Sequence, residues 1–137
     1  MGNKIYIEAA TAFDCELPQS EQKYFNQALF VITSLFDGLL NIKLEQVQKI
    51  RIHLSETVKN VEVDSPDKVS PIIHVQYPFD FNHYFSLDKP ARRALIADIL
   101  HQALEQMCSE LNYDRQPFQQ AYEKVKELDY QNEYIHG

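Results

Sequence analysis

The stretch from Leu87 to Leu128 constrains the fold more than any other part of the chain. Asp88 is placed to cap a helix, and Pro90 falls in its first turn, where a missing N–H costs little. Leu95, Ile96, Ile99, Leu100, Ala103, Leu104, Met107, Cys108 and Leu111 then recur at helical spacing. Projected at about 100° per residue they cover more than half the circumference, so this helix is expected to be largely buried. The remaining arc carries Asp98, His101, Gln102, Glu105 and Ser109. Asn112-Tyr113-Asp114 reads as a turn, with Asp114 capping a second helix. Phe118, Ala121, Tyr122, Val125 and Leu128 give that helix a narrow apolar stripe, suited to packing on the first.

The rest of the chain supplies a sheet. Lys4 to Phe13 alternates at a period of two, as a strand does. Ser20 is placed to cap a helix starting at Glu21, whose buried face reads Tyr24, Phe25, Ala28, Leu29, Ile32, Leu35, Phe36, Leu39 and Leu40. Asp37-Gly38 is placed to end it. Gln48 to Ser55 is the clearest strand: Ile50, Ile52 and Leu54 face one way, and Lys49, Arg51, His53 and Ser55 the other. That is the pattern of a sheet with one wet face. Val58 to Val63 reads as a short strand, residues 64–68 as a turn, and Val69 to Tyr77 as another strand. The tail from Asp129 to Gly137 has the composition to begin a further strand. The order is β-α-β-β-β-α-α, and the fold class is α+β: one domain over residues 1–137, an antiparallel sheet with helices on one face.

Composition then limits the chemistry. Apolar residues make up 45% of the 137 residues, which excludes disorder. No apolar run approaches the roughly 20 residues that span a bilayer. The N-terminus lacks the basic-then-apolar layout of a signal peptide, so Cys15 and Cys108 are expected as free thiols in the cytoplasm. The formal charge is −7, and Lys and Arg cluster only as Arg92–Arg93. That disfavours nucleic acid and suits a basic protein partner.

No motif states a reaction. The five histidines lie at 53, 74, 83, 101 and 136, with no Cys-x-x-Cys or His-Glu-x-x-His among them. His101 and Glu105 read as an exposed helical pair. Cys108 lies on an apolar helix face, which makes it core rather than nucleophile. The glycines are Gly2, Gly38 and Gly137, too few for a phosphate-cradling loop. No cofactor, metal or catalytic residue is assigned. Pro78 to Leu87 packs Phe79, Phe81, Tyr84 and Phe85 around Asp80, Asn82 and His83. It reads either as a recognition patch or as a connection whose aromatics pin the sheet to the helix.

The C-terminal third carries a resemblance. Asp98-Ile99-Leu100-His101-Gln102-Ala103-Leu104, then Asn112-Tyr113-Asp114, then Pro117-Phe118-Gln119-Gln120-Ala121-Tyr122-Glu123-Lys124-Val125, then Tyr134-Ile135-His136-Gly137 resembles bacterial immunity proteins of polymorphic or contact-dependent toxin systems. The resemblance covers about 40 residues and implies a role: a non-enzymatic cytoplasmic protein that binds and neutralises a cognate, basic toxin domain. Contact residues are then expected in the loop and aromatic region, at Asp64, Asp67, Tyr77, Asp80, His83 and Tyr84. The alternatives are a small enzyme with a site near His74, Asp80 and His83, and an oligomeric structural subunit with an exposed apolar face on the first helix.

Overall fold

The computed structural model describes residues 4–13, 15–66 and 69–130. Its elements are β1 (Tyr6–Thr11), α1 (Gln19–Leu39), β2 (Lys49–Ser55), β3 (Glu62–Asp64), β4 (Ile72–Pro78), α2 (Phe81–Ser86), α3 (Lys89–Leu111) and α4 (Gln116–Glu127). Over the described residues the fold is α+β, four helices packed with one four-stranded sheet of order β1-β2-β4-β3. The suggested strand in the tail lies outside the described residues from 131 onward.

The sheet is mixed, not antiparallel. β1 pairs parallel with β2, and β2 parallel with β4; only β3 runs antiparallel, against β4. The reason is the connection: α1 carries the chain from the end of β1 back to its starting side, so β2 must run in the same direction. The alternation in β2 specifies one dry face and one wet face. It does not specify strand direction.

The dry face bears Ile7, Ile50, Ile52, Leu54, Ile73 and Val75, all buried beneath the helices. α3 is the inner helix: Ile96, Ala97, Leu100, Ala103, Leu104, Met107 and Cys108 are buried. Asp88 accepts the Ala91 N–H at 3.0 Å, as its capping position requires. Asn112, in the left-handed region at φ 61°, turns the chain, and the Asp114 carboxylate takes the Gln116 N–H at the start of α4.

α1 departs from expectation at both ends. It starts at Gln19 behind Pro18, held by Gln22, whose side-chain amide donates to the Leu17 carbonyl at 2.7 Å. It also runs through Asp37-Gly38 to Leu39, because Gly38 keeps a negative φ and Asp37 has another task. The Asp37 carboxylate accepts the outward Ile7 N–H at 2.9 Å and pairs with Lys4 at 3.3 Å. Tyr24, expected on the buried face, is half exposed.

Candidate functional site

The uncovered face of the sheet is where unlike polar groups converge. Register places Glu8, Arg51, His74 and Asp64 in one row across the four strands, and Ala10, His53, Gln76 and Glu62 in the next. Among the described residues no helix packs on this face. Glu8 holds the cations beside it, Lys49 at 2.9 Å and Arg51 at 3.4 Å. At the centre, Nε2 of His53 and Nδ1 of His74 lie 3.0 Å apart, with the rings stacked at 5.2 Å between centroids. A hydrogen bond at that distance needs one protonated and one bare nitrogen. The His53 pKa is lowered by burial first, then by His74 and Arg51. The neutral imidazole is therefore favoured there. A cleft of about 440 Å³ opens over the pair, lined by Ala12, Phe13, His53, Asp64, His74 and Gln76. Phe13 is wholly exposed.

The two edges of the sheet are poorly suited to strand addition. On β1 the outward N–H groups of Ile5, Ile7 and Thr11 are taken by the Ile42 carbonyl, Asp37 and the Asn26 side chain. β3 is only three residues long and carries Glu62 and Asp64. Both are devices that discourage edge-to-edge pairing. A shallow groove of about 640 Å³ remains between β1 and α1, flanked by the exposed rings of Tyr6 and Phe30.

The structure scatters the expected contact residues. Asp64 lies on the uncovered face, opposite His74. Asp67 lies outside the described residues. Tyr77 is on the covered face, its hydroxyl donating to Gln102 of α3. Asp80 caps α2, accepting the N–H of exposed His83 at 3.1 Å. Tyr84 is buried at 1% exposure, edge-on to Phe25 at 4.8 Å. The connection that holds these last residues is thus a helix, and Phe79, Phe81 and Tyr84 form a core cluster around Phe25. Arg92 fastens it to α3, donating to the carbonyls of Tyr84 at 3.1 Å and Phe85 at 2.8 Å. Of the two readings of that stretch, these contacts are those of the pinning one.

His74, Asp80 and His83 are not gathered into one site. His74 points onto the uncovered face, while Asp80 and His83 share the first turn of α2, beyond the end of β4. Missing from the expected set were His53, Glu8, Arg51, Gln76 and Glu62. The alternation of Lys49, Arg51, His53 and Ser55 was the one signal for Arg51 and His53, and that of Lys4 to Phe13 the one for Glu8.

A second polar cluster sits in the seam between α3 and α4. The Tyr122 hydroxyl donates to Asp98, and the Tyr122 ring stacks on His101 at 4.1 Å. Glu105 approaches His101 at 3.2 Å and Arg115 at 3.8 Å. The pair His101–Glu105 is therefore partly buried rather than exposed. Burial and then the Asp98 hydrogen bond raise the Tyr122 pKa far above that of a free phenol. This locks a helix interface in one protonation state. Burial likewise pushes the Cys108 thiol up to about 11, so it is inert at neutral pH.

Among the described residues, no group of three or more His, Cys, Asp or Glu is placed to hold a metal ion, and no helix is long and apolar enough to cross a membrane. Comparison with protein-family models, curated proteins and solved structures returned no match.

Proposed function

We propose that this chain is a non-enzymatic binding protein whose uncovered sheet face receives a protein partner. The observation that carries the reading is that face itself. Parallel strands are ordinarily covered on both sides. Here three of them expose a mixed polar surface on one side, while three outward amides beside β1 are already taken and β3 is short and acidic. A partner therefore meets side chains rather than backbone. The net charge of −7 favours a basic partner, through faster and better oriented encounter.

The narrower role, neutralising a cognate bacterial toxin domain in the cytoplasm, is supported by the resemblance of the C-terminal third to immunity proteins. Asp64 and, at the end of β4, Asp80 and His83 are the exposed members of the expected contact set.

Affinity capture from the native cells, with retained proteins identified by mass spectrometry, tests this. The expected result is one stoichiometric basic partner whose toxicity in a co-expression assay this chain relieves. Charge reversal at Arg51 and Asp64 together should release it. Recovery of this chain alone, or a partner held equally well by that variant, overturns the reading. Recovery of this chain as a dimer would favour the oligomeric subunit, with Tyr6 and Phe30 as the surface to alter first.

A further inference from the structure

We propose that the cleft bounded by Phe13, His53, Asp64, His74 and Gln76 is a subsite for a cationic side chain, an arginine guanidinium of the partner, and that protons on the two histidines compete with it. This deepens the binding reading above and rests on it for the identity of the partner.

The charges on the face are unequally satisfied. On the β1 side, Glu8 already neutralises Lys49 and Arg51. On the β3 side, Asp64 stands opposite His74 and Glu62 opposite Gln76, and neither carboxylate has an ion pair among the described residues. Directly paired residues on antiparallel strands hold their Cβ atoms about 5 Å apart. The unmatched charge beside the cleft is therefore negative, within reach of the His74 ring. Arg51 adjoins His74 in register, but its Nε is turned to Glu8.

The lining suits a planar cation. A guanidinium presents a rigid fork of donors, matched to a carboxylate and an amide oxygen such as those of Asp64 and Gln76. Phe13 adds an exposed aromatic wall, on which such a cation stacks. The histidines set the condition. With both rings neutral, one donating to the other across 3.0 Å, the floor of the cleft carries no charge. When both rings are protonated, both nitrogens become donors. The bond between them is lost, and positive charge appears where the guanidinium lies. The other charged groups facing the pair are Glu8 from β1, Lys49 and Arg51 from β2, and Glu62 and Asp64 from β3. Burial lowers the His53 pKa and so favours the neutral ring, consistent with an open subsite there.

The test uses the full chain and arginine amide as the probe, followed by NMR of the histidine rings and the Asp64 amide. Citrulline amide, the same shape without the charge, is the control. At pH 7.5 the arginine probe should shift the His53, His74 and Asp64 signals saturably and the citrulline probe should not. Asp64→Asn should weaken the response several-fold. At pH 5.5 wild type should bind several-fold more weakly, whereas the His53→Gln/His74→Gln double variant should bind equally at both pH values. Equal response to citrulline amide, or an unchanged response in Asp64→Asn, overturns the subsite. Equal wild-type affinity at the two pH values overturns proton competition. A captured partner held as tightly by Asp64→Asn as by wild type also overturns the subsite and leaves the binding reading standing. A normal arginine response with no partner captured does the reverse.

Discussion

The two faces of this one sheet are built from the same strands and differ in almost every physical respect. On the covered face each side chain is fixed by neighbours: Ile50, Ile52, Ile73 and Val75 are fully buried under α1 and α3. On the uncovered face, side chains reach one another within a register row, Glu8 to Arg51, and between neighbouring rows, His53 to His74. The covered face holds the fold and has one arrangement. The uncovered face, held by surface ion pairs and one histidine contact, is expected to contribute less to stability. The two are inseparable, because a strand that buries residues 50, 52 and 54 must present 49, 51 and 53 on the other side.

The sharpest way to break the comparison is to damage each face and measure both stability and binding. Phe25 sits at the centre of the aromatic cluster with Phe79, Phe81 and Tyr84. Phe25→Ala should cost about 3–5 kcal/mol in urea denaturation, from lost burial and the cavity left behind. Arg51→Ala, whose side chain is half exposed on a surface ion pair, should stay within about 1 kcal/mol. Equal losses would mean that the uncovered face is structural after all.

The edge gives the next effect. Asp37→Ala leaves the Ile7 N–H without its acceptor and frees Lys4. A loss of about 1–2 kcal/mol is expected, together with concentration-dependent association in sedimentation, because an edge amide is exposed. A variant that loses stability yet stays monomeric would show that Asp37 does not guard the edge.

The seam between α3 and α4 sharpens the contrast from the covered side. Tyr122→Phe keeps the stack on His101 and removes the bond to Asp98, at a cost of about 1–2 kcal/mol. The raised Tyr122 pKa also has a signed consequence. Above pH 10 the unfolded chain releases the phenolic proton while the folded chain keeps it, so the folded state binds more protons. Stability is full below pH 10 and falls as the pH rises beyond it. The fall should be shallower in Tyr122→Phe. An equal fall would place the titration at the other raised tyrosines, Tyr77, Tyr84, Tyr113 and Tyr130.

How much of this was legible follows from how local each signal is. The α3 cap and the buried arc of α3 are written in neighbouring residues, Asp88 to Leu111, and the structure keeps the cap and most of the arc, with Leu95, Ile99 and Leu111 partly buried at its margin. The one wet face of β2 was equally plain at Lys49, Arg51 and His53, though Ser55, expected on it, is buried. Strand direction was not plain, because alternation is the same in parallel and antiparallel sheets when one face is covered. The aromatics after β4 showed only apolar mass, and whether Tyr84 faced solvent depended on Phe25, 59 positions earlier in the chain. The histidine pair was hidden for the same reason. His53 and His74 are 21 residues apart, and only the β2–β4 register brings them within hydrogen-bond distance. A site made of rows across strands leaves no motif along the chain.

The smallest expected effect tests the uncovered face by itself. His53 has its pKa lowered by burial first, so the folded state binds fewer protons than the unfolded chain below the ordinary histidine value of 6.5. The unfolded state gains protons first as the pH falls, and stability rises with pH across that window. The stability conferred by the neutral pair is present above pH 6.5 and lost below it. Because the ring is partly exposed, solvent screening holds the loss below about 1 kcal/mol. Urea midpoints at pH 7.5 and 5.5 should differ slightly in wild type, and less in His53→Gln. If the variant kept the whole difference, the acid sensitivity would belong to another histidine. A loss of several kcal/mol would mean that the pair anchors β2 to β4, and the division of labour between the two faces would fail at its centre.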